Sequence, residues 1–97
     1  MANNPDDAEL ADNTERQRYE YAVGDALGWV SYRREGDLTV LTYARVPDEL
    51  MGRGMGSRMA RAVLEAERAR GTRVRATCGF IAAYLARHPE YADLTRA

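Results

Sequence analysis

Three glycines at alternate positions, Gly52, Gly54 and Gly56, separate two stretches of opposite periodicity. Leu38 to Arg45 alternates as a strand does, whereas Met55, Met59, Ala62, Val63, Ala66 and Ala69 recur at helical spacing. The chain must therefore pass from strand to helix within Val46 to Ser57, which reads Val-Pro-Asp-Glu-Leu-Met-Gly-Arg-Gly-Met-Gly-Ser. Pro47 cannot donate to a ladder, so the strand stops or leaves the sheet there. Glycine leaves the following backbone N–H groups unobstructed where the helix begins, and such a helix start is an anion site. The segment reads as a loop that grips the pyrophosphate of a coenzyme, against the plainer alternative of a tight strand-to-helix turn.

Upstream, Gln17 to Val23 alternates Tyr19, Tyr21 and Val23 against Arg18, Glu20 and Ala22. Gly24-Asp25 makes a turn, and a second strand runs from about Ala26 to Arg33. After Glu35-Gly36-Asp37, a third strand takes Leu38 to Arg45, with Leu38, Val40 and Thr42 opposing Thr39, Leu41 and Tyr43. These three strands predict an antiparallel meander. The helix after the loop ends at Gly71, with Arg68 and Arg70 suited to the negative end of its dipole. A parallel strand over Arg73 to Cys78 and a short helix over Gly79 to Arg87 complete a β-β-β-α-β-α order, an α+β domain from residue 15 onward. Met1 to Thr14, polar and acidic, reads as a mobile arm.

Composition removes several function classes. All 14 basic residues are arginine, so a Gly-Lys-Ser/Thr phosphate loop and a lysine base are both excluded. The spacing Gly52-x-Gly54-x-Gly56 is not that of a dinucleotide fold, and no second βαβ unit follows. A net charge of -1 argues against coating nucleic acid. With one cysteine, no secretory pattern and no membrane-length apolar run, the expectation is a cytoplasmic protein without a membrane partner. One histidine and one cysteine cannot close a zinc site.

The glycine loop, taken with Cys-Gly-Phe-Ile-Ala-Ala-Tyr-Leu-Ala-Arg-His-Pro-Glu-Tyr over Cys78 to Tyr91, resembles the GNAT superfamily of acetyl-CoA-dependent N-acyltransferases. More narrowly, it resembles the minimal YjdJ-type branch, and the likeness runs from about Glu15 to Leu94. The superfamily's phosphate loop, Gln/Arg-x-x-Gly-x-Gly/Ala, falls on Met51 to Gly56; Gly54 and Gly56 match and Met51 departs. The resemblance implies a minimal GNAT-like fold, acetyl-CoA as cofactor and an amine acceptor, a small molecule or a protein end. It implies coenzyme contacts from Tyr43, Ala44, Arg45 and Val46 on the strand. In the loop and helix it implies Met51, Gly52, Arg53, Gly54, Met55, Gly56, Ser57 and Arg58, and further along Cys78 and Tyr84. Many relatives carry His or Thr at Tyr43 and Ala44 and Glu at Arg45, so an evident carboxylate base is missing here.

Cys78 and Tyr84 are the catalytic candidates. A thiol at a helix start can act as a thiolate in acyl transfer, or simply continue the apolar face of Val74 and Ala76. Tyr84 can protonate a departing thiolate or pack on the sheet. His88, before Pro89, is assigned to the helix end. The expected function is acetyl transfer to an amine, with a non-catalytic coenzyme-A-binding or partner-interaction module as the alternative. The expected state is a monomer or weak homodimer paired through a sheet edge.

Overall fold

The computed structural model describes residues 8–52 and 54–95. Five strands form one sheet in chain order: β1 (Glu9–Asn13), β2 (Arg18–Val23), β3 (Ala26–Glu35), β4 (Leu38–Arg45) and β5 (Arg73–Ala76). The first four pair antiparallel, and β5 joins β4 in parallel. Helix α1 (Met55–Arg70) makes the crossover between them, and α2 (Gly79–Arg87) and a 3-10 segment (Pro89–Thr95) come after β5. The architecture is the α+β arrangement the periodicity predicts, enlarged by one strand. Among the described residues no helix is long and apolar enough to cross a membrane.

The extra strand corrects the expectation of a mobile arm through Thr14. Glu9–Asn13 pairs with β2 from Glu9 opposite Ala22 to Asn13 opposite Arg18. Its polar residues hide the strand from any hydrophobic pattern, because an edge strand can be held by its ladder and by a few side chains. The Tyr32 hydroxyl donates to Asp12, and Arg34 Nη2 donates to Asp12 Oδ2 at 3.2 Å. Residues 1–7 of the expected arm lie outside the described residues.

One sheet face carries Tyr19, Tyr21, Val23, Val30, Tyr32 and Leu41, which pack with Met55, Met59, Ala60, Val63 and Leu64 of α1 to form the core. Within it lies Glu67, with 0% of its surface exposed. Tyr19 and Thr72 donate their hydroxyls to its carboxylate, and Arg34 Nη1 lies 3.1 Å from Oε2. Burial pushes this carboxyl up, but the hydrogen bonds from Thr72, Tyr19, Thr39 and Arg34 together hold it below the usual carboxylate range. Burial and the same carboxylate push the Tyr19 hydroxyl up to about 12.

The strict alternation expected along β4 fails at Thr42. Leu41 stands opposite Tyr32 but Tyr43 stands opposite Ser31, so Thr42 is an extra residue, a β-bulge. Its hydroxyl donates to the Ser31 carbonyl at 3.3 Å. The bulge reverses the parity of the rest of the strand. Ala44, opposite Val30, joins the core face, while Tyr43 and Arg45 turn to the other.

Candidate functional site

β4 outruns its parallel neighbour. The β4–β5 pairing ends at Leu41 opposite Ala76, and the Leu41 carbonyl accepts both Thr77 N–H at 3.0 Å and Cys78 N–H at 3.2 Å. Past that point β4 continues to Arg45 with β3 alone, and β5 gives way to α2. A gap therefore opens between the end of β4 and the start of α2.

The glycine loop closes the bottom of this gap. After Pro47 the chain makes a 3-10 turn at Asp48–Leu50, whose Leu50 side chain is buried. Gly54 caps α1 at φ +73°, a left-handed conformation that costs a residue with a Cβ roughly 1–2 kcal/mol. No side chain caps α1 and its first turn holds no acid. The amides of Met55, Gly56 and Ser57 thus form the positive end of the helix dipole, with no partner inside the helix. Gly56 is bare for a different reason: a Cβ there would stand 2.9 Å from Phe80 Cζ and 3.4 Å from Val46 Cγ2.

The resulting cleft has a volume of about 400 Å³ and is lined by Ala44, Val46, Leu50, Met51, Gly52, Gly54, Gly56, Ser57 and Phe80. It brings together much of the set expected from the sequence. Met51 is exposed at its rim, contributing an apolar thioether where a basic or amide group is usual in the family. Such a surface, part apolar wall and part free amide, can hold an extended ligand with an anionic group at one end.

Other expected residues point elsewhere. Met55 is buried in the core, so only its backbone is available to the cleft. Arg58 lines a neighbouring hollow with Tyr21, Arg61, Ala62 and Glu65. Tyr43 and Arg45 lie on the opposite sheet face, and Arg53 falls outside the described residues. Cys78 is the half-buried N-cap of α2, packed against the core. The Tyr84 ring is buried and stacks on His88 at 3.9 Å, and burial raises its hydroxyl above the ordinary phenol value. His88 pairs through Nδ1 with Glu90 at 3.3 Å in addition to that stack.

Two lining residues, Leu50 and Phe80, are left unassigned by sequence reasoning, and Phe80 is the exposed one. A signal for it exists: an aromatic directly after Gly79, in the first turn of the helix, inside the segment that carries the family likeness.

A family model described as GCN5-related N-acetyl-transferase matches residues 18–94, which includes the loop, the gap and both helices. Among solved structures, a GCN5-like candidate N-acetyltransferase from Staphylococcus aureus, determined in solution by NMR, superposes with a TM-score of 0.70. It is 25% identical, over 97% of this chain and 89% of that one. No curated protein sequence matches the chain. A match across most of the residues, on a fold that sets the glycine loop beside an opened strand pair, shows that the chain belongs to the GCN5-related N-acetyl-transferase family.

Proposed function

We infer that the chain binds acetyl-CoA and transfers the acetyl group to an amine. The observation that most supports this is the convergence on one cleft of an uncapped helix start, three glycines and a strand end that has left its parallel partner. In this reading the amides from Gly52 to Ser57 take the pyrophosphate oxygens, with positive charge from Arg53 and Arg58. Backbone groups of Tyr43 to Val46 receive the pantetheine arm, and Met51 and Phe80 cover its apolar part. The cofactor supplies an activated thioester, whose carbonyl oxygen is stabilised by strand N–H groups.

Tyr84 keeps its proton throughout the neutral range, which is the form a donor to a leaving thiolate requires. Cys78 serves as a coenzyme contact or as a transient acyl carrier. The amine loses its proton to water or arrives as its own free base. The YjdJ-type branch, a cytoplasmic setting and a monomer or weak homodimer belong to the same reading.

Calorimetry with coenzyme A, followed by thiol release from acetyl-CoA with a panel of amines, tests it. Binding without release above the hydrolysis background would sink the transferase claim. That outcome, unaffected by Cys78→Ala and Tyr84→Phe, would instead select a coenzyme-A-binding module. One observation favours this second reading: among the described residues, those lining the cleft include no carboxylate and no imidazole.

A further inference from the structure

The bulge at Thr42 gives the end of β4 two outlooks. Ala44 and Val46 border the cleft, while Tyr43 and Arg45 stand on the reverse face beside Trp29 and Leu27 of β3. The two environments are one strand apart, since consecutive Cα atoms are separated by about 3.8 Å. Among the described residues, no strand covers that side of β4 beyond Leu41. A group lying on the reverse face therefore has a short route through the gap to the cleft.

This reverse face is open and partly apolar, with Tyr43 53% and Leu27 36% exposed. Its charges are unevenly satisfied. Glu20 pairs with Arg18 at 2.8 Å, and Glu35 pairs with Arg33. Arg45 lies over the Trp29 ring at 5.6 Å and, among the described residues, forms no ion pair. Arg18 lies over the same ring at 4.3 Å. Beside the aromatic floor the face thus presents the Arg45 guanidinium without an ion pair among the described residues, and Arg75, opposite Val40, adds a second such cation. Among the described residues, Glu9, opposite Ala22 on the far edge, is the one carboxylate of the face's strands left without an ion pair.

Building on the acyltransferase reading, we propose that this face seats the acceptor, an acidic peptide lying extended on β3 and β4. Arg45 takes a carboxylate near the peptide's amino end, and Tyr43, Trp29 and Leu27 support its apolar side chains. Guanidinium matches carboxylate geometry, and its stacking on Trp29 holds it ready for that bond. A flat, exposed surface suits an extended chain better than a small molecule, which needs a concave wall to bury it.

Trp29 is the only tryptophan, so its fluorescence reports directly on this face. The probes are three peptide amides of equal length with free amino ends: Ala-Glu-Phe-Glu, Ala-Gln-Phe-Gln and Ala-Arg-Phe-Arg. Titrated into the full chain at low salt, the acidic peptide is expected to bind about tenfold more tightly than the basic one. Arg45→Glu should reverse that order. Arg45→Gln, which only removes the charge, should level it and serves if the reversal variant fails to fold. Equal affinities, tightest binding by the basic peptide, no binding by any peptide, or an order that survives loss of the Arg45 charge would each overturn the proposal. Coenzyme A titrated separately into the unmodified chain tests the underlying reading, so the two failures are distinguishable.

Discussion

The Phe80 ring lies over the bare backbone of Gly56, so the first turns of α1 and α2 meet across the cleft. A methyl group at Gly56 would stand 2.9 Å from Phe80 Cζ, a separation that forces a shift. Phe80 is partly exposed and can swing aside, so the strain is relieved into the cleft rather than the core.

Gly56→Ala is therefore expected to change stability by no more than about 1 kcal/mol, since alanine's better helix propensity offsets the displaced ring. Coenzyme A binding should weaken by about tenfold, because the displaced ring enters space an extended ligand would use. Calorimetry alongside thermal melting checks this. A variant that loses stability and keeps affinity would place the Phe80 contact in the core instead.

Gly54→Ala should act the other way. A Cβ at this position would meet nothing within 4 Å, so the cost is confined to the backbone at φ +73°. A penalty of about 1–2 kcal/mol should lower the melting temperature by roughly 4–8 °C per kcal/mol for a chain of this size.

Removing the Glu67 carboxylate has the largest expected effect on stability. Glu67→Ala leaves the Tyr19 and Thr72 hydroxyls without their carboxylate acceptor and removes one of the two carboxylates on the Arg34 guanidinium, which keeps Asp12. A loss of about 3–5 kcal/mol is expected, read as a lower urea midpoint at unchanged slope.

The pH profile rests on the same contacts. Glu67 is held below its ordinary value of 4.5, so its contribution is complete above that value and disappears as acid takes the pH below its native value. Tyr19 and Tyr91 are both pushed up from 10.0 to about 12, by burial first and then by their hydrogen bonds to Glu67 and Glu65. Folding disfavours their ionised forms, so stability should fall as pH rises from 10 towards 12. Between the two limbs it should be flat with respect to these groups. Denaturation of Tyr19→Phe across the alkaline range checks the assignment, since part of that limb should vanish.

Much of the fold is legible in local pattern. Leu38–Arg45, the end of α1 at Arg70 and all of Gly79–Arg87 lie where periodicity, turn residues and Pro89 set them. Gly54 and Gly56 are legible because a left-handed cap and a close approach both demand glycine. The features that escape depend on residues distant in sequence. Glu9–Asn13 looks like a solvated arm until Tyr32 and Arg34 come to hold Asp12. The Thr42 bulge leaves no trace in an alternating run of β-formers, yet it sends Tyr43 and Arg45 away from the cleft that Ala44 enters. The apposition of Phe80 and Gly56 needs two helices to meet, which neither helix's own sequence encodes.

The Glu67 carboxylate is satisfied only when Tyr19 of β2, Arg34 of β3 and Thr72, beyond the end of α1, have all arrived. An intermediate that docks α1 on an incomplete sheet buries a charge with too few donors, which is costly in a dry interior. Half-assembled states are thereby penalised more than either the open chain or the finished fold. One acid on one helix ties the early strands to the chain beyond the crossover, so that they form and melt together as a single cooperative unit.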